Sequence, residues 1–257
     1  MFEDLKLRAI SAVILVSILF LFALVIPILL VPSIYILNIL FLRELFDLYN
    51  FKNKLPLNNI FLATVCIIPL YFSQTDLALT FFFNVVLLFL VFYLSRSMGL
   101  SFLVLYVNLS ISCLLSLLAS PTEIGGKSFF VVFVLAVAVA DIGGYFGGRI
   151  IGGPKVFEKV SPGKTWAGII AGWISVFLYY QILRYFDLFI SDFFIFVFLG
   201  IALSSQVGDF IESFMKRNFG VKDTGNIIPG HGGLLDRFDG LIFATFFVKI
   251  VDFYLLT

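Results

Sequence analysis

Asp209 and Glu212 interrupt an apolar run, and Ser205, Ser213 and Lys216 stand three, four or seven residues from one or the other. Residues at those offsets share one helical face, so the spacing predicts a polar stripe on an otherwise apolar helix, and such a stripe lines a wet cavity. An ionisable group in a membrane-embedded helix is costly unless it faces a cavity, a partner or an ion, which makes both acids functional candidates. A solvated loop would account for residues 217–235 but not for these two. Asp236 and Asp239, three apart, point the same way if a helix begins near Leu235. Converging carboxylates repel one another unless a cation sits between them, and hard oxygen ligands suit Mg²⁺, which keeps waters and is shared with substrate phosphates. The reading is a magnesium-dependent phosphate reaction.

The cations fit the same chemistry. Residues 204–239 hold nine charged side chains in thirty-six positions, about twice the 13% of the whole chain. Lys216, Arg217, Lys222 and Arg237 are interleaved with the acids, Asp223 among them, and a polyphosphate needs several cations around it. Pro229, Gly230, Gly232 and Gly233 surround the single histidine, His231, in a loop whose backbone can approach a ligand closely. His231 is read as ordering that loop or touching phosphate, in preference to acting as a base. Upstream, Asp141 lies in an apolar run and shares a helical face with Tyr145. Gly143, Gly144, Gly147 and Gly148 form two overlapping small-xxx-small pairs, which are read as helix packing. The loop that follows, with Lys155, Lys159, Ser161, Pro162, Gly163, Lys164 and Thr165, is basic.

The elements that must position these residues are membrane helices. Of 257 residues 61% are hydrophobic and only 13% charged, against roughly 45–50% and 25% in soluble domains. Apolar windows predict spans near 9–29, 31–49, 57–73, 77–95, 100–119, 128–148, 165–186, 190–215 and 239–256. The expected fold is therefore all-α and polytopic, with about nine transmembrane helices, and the junction between Pro27 and Pro32 decides the count most. Residues 1–125 are expected to form N-terminal helices and 126–257 a C-terminal catalytic region within one membrane domain. The first span is read as retained, since no small-residue cleavage site follows a short apolar segment. With nine spans and a cytoplasmic N-terminus, thirteen of the seventeen basic residues fall on the cytoplasmic side, among them Lys164, Lys216, Arg217, Lys222 and Arg237. Asp76, Glu123, Asp187 and Asp192 fall opposite. A net charge of +1 gives no argument for a nucleic-acid partner, and Cys66 and Cys113, both inside apolar runs, suggest neither a disulfide nor a zinc site.

Residues 213–239, SFMKRNFGVKDTGNIIPGHGGLLDRFD, resemble throughout the signature of the phosphatidate cytidylyltransferases: Ser, Lys-Arg, Lys-Asp, a small residue, His-Gly-Gly, then Asp-Arg-apolar-Asp at the family's spacing. SQVGDFIES, ADIGGYFGGR and SPGKTW are similar to the same family, so the likeness covers the C-terminal half, whereas the N-terminal half resembles it only in being apolar. One departure stands out: Gly163 and Ala167 replace a basic and an acidic residue usual in the family. They are read as a lost ion pair, not as lost activity.

The resemblance implies an enzyme that makes CDP-diacylglycerol and pyrophosphate from CTP and phosphatidic acid, seated in the cell's inner (cytoplasmic) membrane as a homodimer with its site facing the cytoplasm. It also implies a divalent-metal site at Asp209, Asp236 and Asp239, with a monovalent cation such as K⁺ beside the Mg²⁺. Asp141, Glu212 and Asp223 are expected as further ligands or orienters. Lys164, Lys216, Arg217, Lys222, Arg237, His231 and Ser205 are expected on substrate, with Lys222 and Asp223 counted among the catalytic groups. Two rival readings carry different tests. A CTP-using lipid kinase would release CDP in place of pyrophosphate. A secondary transporter would couple an ion to its intramembrane acids, and the missing inverted repeat and one-sided charge speak against it.

Overall fold

A computed structural model describes residues 27–53, 65–74, 76–122, 126–158, 160–189, 191–225 and 232–256. A 3₁₀ turn, Pro27–Leu29, leads into α1 (Leu30–Asn53), followed by α2 (Ile67–Phe72), α3 (Leu77–Ser95), α4 (Met98–Ala119), α5 (Gly126–Ile150), β1 (Lys155–Phe157), β2 (Ser161–Thr165), α6 (Trp166–Tyr185), α7 (Phe193–Phe219) and α8 (Leu235–Leu256). Among the described residues, five helices are long and apolar enough to cross a membrane: Ala78–Ser95, Met98–Ala119, Gly126–Ile150, Trp166–Tyr185 and Phe193–Phe219. Helices α1 and α8 reach the length too, but Arg43, Glu44 and Asp47 charge the first and Asp239, Lys249 and Asp252 the second. The protein is a helical membrane protein. The expected span 9–29, but for its last turn, and the first part of 57–73, residues 57–64, lie outside the described residues, as do Glu123, Lys159 and His231.

The helix starts follow from local chemistry. Pro32 sits in the first turn of α1, where a missing N–H costs nothing. Asp76 Oδ1 accepts the Ala78 and Leu79 amides at 2.8 and 3.0 Å to open α3. Ser97 Oγ accepts Leu100 N at 3.3 Å to open α4, and Thr165 Oγ1 accepts Gly168 N at 3.2 Å to open α6, each satisfying an amide that the helix itself leaves open.

The chain forms two compact units, one of residues 1–128 with 219–238 and one of 129–218 with 239–257. The segment 219–238, expected in the C-terminal region, therefore belongs with the first unit. In that unit α3 packs along α4, and α4 along α1. Asn38 Nδ2 donates to Asn108 Oδ1 at 3.0 Å, and Asn108 Nδ2 to Asn84 Oδ1 at 3.0 Å, a fully buried amide ladder across three helices.

In the second unit small residues decide how close the helices come. A Cβ on Gly168 of α6 would stand 2.7 Å from the Gly144 carbonyl oxygen of α5, and one on Gly147 would meet the Ala171 side chain. The glycine pairs thus serve the packing expected of them. Helices α6 and α7 are tied by Gln206, whose Oε1 accepts Trp173 Nε1 at 2.9 Å while its Nε2 donates to Ile169 O at 3.1 Å. Helices α7 and α8 approach through Gly208, where a Cβ would lie 2.5 Å from Asp239 O. Between α5 and α6 the expected basic loop is instead an antiparallel hairpin, Lys155 opposite Thr165 and Phe157 opposite Ser161. This corrects the all-helical reading locally. Two strands this short, one of them Ser-Pro-Gly-Lys-Thr, carry no apolar alternation that could have announced them.

Candidate functional site

The second unit gathers four of the expected site residues from four elements. Asp141 stands on α5 with its side chain exposed, Lys164 on β2, Asp209 on α7 and Asp239 at the start of α8. Lys164 Nζ donates to Asp209 Oδ2 in an ion pair whose side chains are 28% and 17% exposed. The ammonium also sits 4.8 Å from the Phe210 ring centre, and Phe210 meets Phe157 of the hairpin edge-on. A cation over an aromatic face is held from a second side, so the hairpin delivers Lys164 to a fixed position.

Asp141 lies within electrostatic reach of Asp209, Asp239 and Lys164, and Asp239 within reach of Asp209 and Lys164. Three carboxylates thus face one ammonium. The helix crossing makes this closeness affordable in space: a Cβ on Gly240 would fall 2.9 Å from Ser205 Oγ and 3.0 Å from Asp209 Oδ1. Asp239 Oδ1 accepts Gly240 N at 2.9 Å. Ser205 Oγ is fully buried and lies beside the Asp141 carboxylate, toward which it donates. Such an arrangement attracts a cation.

The predicted stripe on α7 stays together. Ser205 and Asp209 join the cluster, and Glu212, hydrogen-bonded to Asp239, also pairs its Oε2 with Lys216 Nζ at 2.6 Å, both nearly buried. Arg217 Nε donates to Val160 O at 3.4 Å, linking the end of α7 to the hairpin turn.

In the first unit, Asp236 turns back on its own loop. Its Oδ2 accepts Thr224 N and Gly233 N, each at 2.8 Å, so this carboxylate, expected among metal ligands, has one oxygen engaged by backbone. Lys222, Asp223 and Arg237 are exposed on the same segment. Among the described residues no group of three acidic, histidine or cysteine side chains is spaced to hold a metal ion by itself.

One residue escaped the sequence reading. Glu44 of α1 is 3% exposed, and its carboxylate accepts Leu234 N at 2.7 Å, Leu235 N at 2.9 Å and Thr224 Oγ1 at 3.3 Å. The signal that would have found it was the one applied to Asp209, an acid inside an apolar run. Its neighbours Arg43 and Asp47, which pair with each other across one turn at 3.6 Å, made the run look like an ordinary charged helix end.

The sequence model of the cytidylyltransferase family matches residues 6–255. Similar curated proteins include the phosphatidate cytidylyltransferase of Rickettsia bellii, 37% identical over 144 residues, which are 53% of this chain and 61% of that protein. The phosphatidate cytidylyltransferase of Haemophilus influenzae is 43% identical over 132 residues, 49% of this chain and 45% of its own length. That of Staphylococcus haemolyticus is 39% identical over 125 residues, 48% of either chain. The chain thus spans about half the length of the curated relatives it matches.

Proposed function

Because the chain belongs to the cytidylyltransferase family, we propose that it transfers CMP from CTP to phosphatidic acid, giving CDP-diacylglycerol and pyrophosphate. The observation that carries the proposal is the meeting of Asp141, Asp209 and Asp239 around the ammonium of Lys164, in a chain whose residues 213–239 carry the signature described above. In the reaction a phosphatidate phosphate oxygen forms a bond to the α-phosphorus of CTP as the bond from that phosphorus to the pyrophosphate oxygen breaks. The attacking oxygen is already ionised near neutral pH, so no proton has to be removed. The difficulty is electrostatic, since two anions must meet and a third must leave.

The donor set is of the kind a hard divalent cation prefers: all oxygen, strongly negative, with the buried Ser205 hydroxyl beside Asp141. Asp141, Asp209 and Asp239 would hold Mg²⁺. Fewer carboxylates than a closed cage is the usual pattern, because Mg²⁺ takes the rest of its ligands from water and substrate phosphates. Once bound it would offset repulsion between the two anionic substrates and stabilise charge on the departing pyrophosphate. A monovalent cation such as K⁺ beside it is part of the same proposal. Lys164 screens phosphate charge and keeps Asp209 oriented. Lys222, Arg237, Lys216, Arg217 and His231 are proposed on the phosphates of CTP, with Asp223 orienting Lys222, and Asp236 holding the loop that carries them. The full reading adds nine spans, an N-terminus and active site on the cytoplasmic side of the inner membrane, and a homodimer.

The test is incubation of purified protein with phosphatidic acid, α-labelled CTP and Mg²⁺. Label entering the lipid phase with pyrophosphate released into water is the expected result. Label remaining in water as CDP would replace the proposal with γ-phosphoryl transfer by a lipid kinase.

A further inference from the structure

Helix α8 starts without a local cap. The residue before its first turn is Leu234, which has no side-chain oxygen to accept the open amides of a helix start. Asp236, the acid in that turn, is already committed to Thr224 N and Gly233 N. The cap arrives instead from 190 residues away, as the Glu44 carboxylate accepts Leu234 N and Leu235 N. A negative group at this place is also favoured by the helix dipole.

The loop is cut to receive it. A Cβ on Gly225 would lie 2.8 Å from Glu44 Oε1, and one on Gly233 2.9 Å from the same atom, so two glycines leave the room that the carboxylate fills. Thr224 Oγ1 donates a further bond to Glu44 Oε2 at 3.3 Å. Both ends of the loop, 224–225 and 233–235, therefore close on two carboxylates, and one of the two comes from the N-terminal half.

We infer that Glu44 is a positioning residue for CTP binding: it clamps the segment whose flanks carry Lys222, Asp223 and Arg237, and so sets where those charges stand. The inference rests on the proposed assignment of these residues to the phosphates of CTP, and it gives the N-terminal helices, which the sequence presented as plain apolar anchor, a part in substrate recognition. Lys222, Asp223 and Arg237 are all exposed, and each is carried on backbone within two residues of an amide that Glu44 or Asp236 accepts. A carboxylate is required because both of its oxygens accept. The amide of Gln keeps one acceptor and sets an N–H against an N–H.

The experiment uses the full chain in lipid nanodiscs, comparing Glu44→Gln and Glu44→Asp with the parent by thermal melting, steady-state kinetics and limited trypsin digestion at Lys222 and Arg237. Glu44→Gln is expected to raise the KM for CTP about tenfold, the size of effect expected from losing a helix cap. The KM for phosphatidic acid should stay within about twofold and the melting temperature within a few degrees, and Glu44→Asp should recover part of the CTP affinity. Trypsin should cut at Lys222 faster in Glu44→Gln than in the parent. An unchanged KM for CTP in active Glu44→Gln protein would overturn the inference, and so would a parallel rise of both KM values with a fall in melting temperature, which marks a residue that only holds the fold. If the parent shows no reaction with CTP, the proposed function fails. The trypsin comparison then still decides the clamp, with equal cutting in parent and variant refuting it.

Discussion

Lys164 is the residue on which the charge balance of the cluster turns. Its ammonium is bound by Asp209, lies over the Phe210 ring and is the cation acting on Asp141 and Asp239. Replacing it with Met leaves three carboxylates without a counter-charge, so Lys164→Met should lower kcat/KM by about a hundredfold or more, the scale of losing one preorganised electrostatic group. Lys164→Arg, keeping the charge with a different shape, should lose less. The acids predict the opposite pairing of activity and stability. Like charges held together for function strain the resting protein, so Asp239→Asn should remove repulsion from Asp209 and Asp141 and leave the melting temperature equal or higher while turnover drops about a hundredfold. Kinetics and thermal melting on the same preparation check both. A variant that loses activity and stability together would mark Asp239 as a structural group.

At the scale of elements, the cluster exists because helices cross at glycine. Gly208 and Gly240 let α7 and α8 approach, and Gly144, Gly147 and Gly168 do the same for α5 and α6. A Cβ at Gly208 would meet a backbone oxygen, that of Asp239, at 2.5 Å, which cannot move aside like a side chain. Gly208→Ala should therefore cost about 1–3 kcal/mol of stability by overpacking and, by separating Asp209 from Asp239, reduce turnover as well. Gly163 gives the contrast, since nothing lies within 4 Å of the Cβ it lacks. Gly163→Lys, which restores the basic residue usual in the resembling family, should fold as well as the parent and keep at least its activity. Much of this was legible beforehand. The small-xxx-small spacing announced α5 as a packing helix, and the stripe on α7 announced Ser205 and Asp209, because helical period and charge in an apolar run are local signals. The Glu212–Lys216 pair was on the same stripe, and Glu212 reaches the cluster as well, through its hydrogen bond to Asp239. The hairpin at 155–165 and the role of Glu44 were hidden for a different reason. Both depend on backbone amides pairing with groups far away or out of pattern, and a sequence does not display where its amides go.

At the scale of the whole molecule, the signature that reads as one continuous string does not fold as one. Ser213 to Asn218 and Asp239 belong to one compact unit and Phe219 to Phe238 to the other, so contiguity in sequence carried the family's identity without carrying its spatial grouping. The orientation of the chain in the membrane rests on charge. The α5–α6 connection holds Lys155, Lys159 and Lys164, whereas the α6–α7 connection holds Asp187 and Asp192. Helix α6, with 20 residues, is about 30 Å long, enough to put those two connections at opposite membrane surfaces. Basic loops stay in the cytoplasm, so a cysteine at position 155 should react with a membrane-impermeant maleimide only in inverted vesicles, and one at position 187 only in intact cells. Background labelling should be low, as Cys66 is fully buried and Cys113 half-buried within α4. The expected pattern would place the Lys164 end of the carboxylate cluster where CTP is made and held, in the cytoplasm. The reverse pattern would put it on the far side of the membrane from any nucleotide pool and would rule out the proposed reaction in the cell, even if the purified protein performed it.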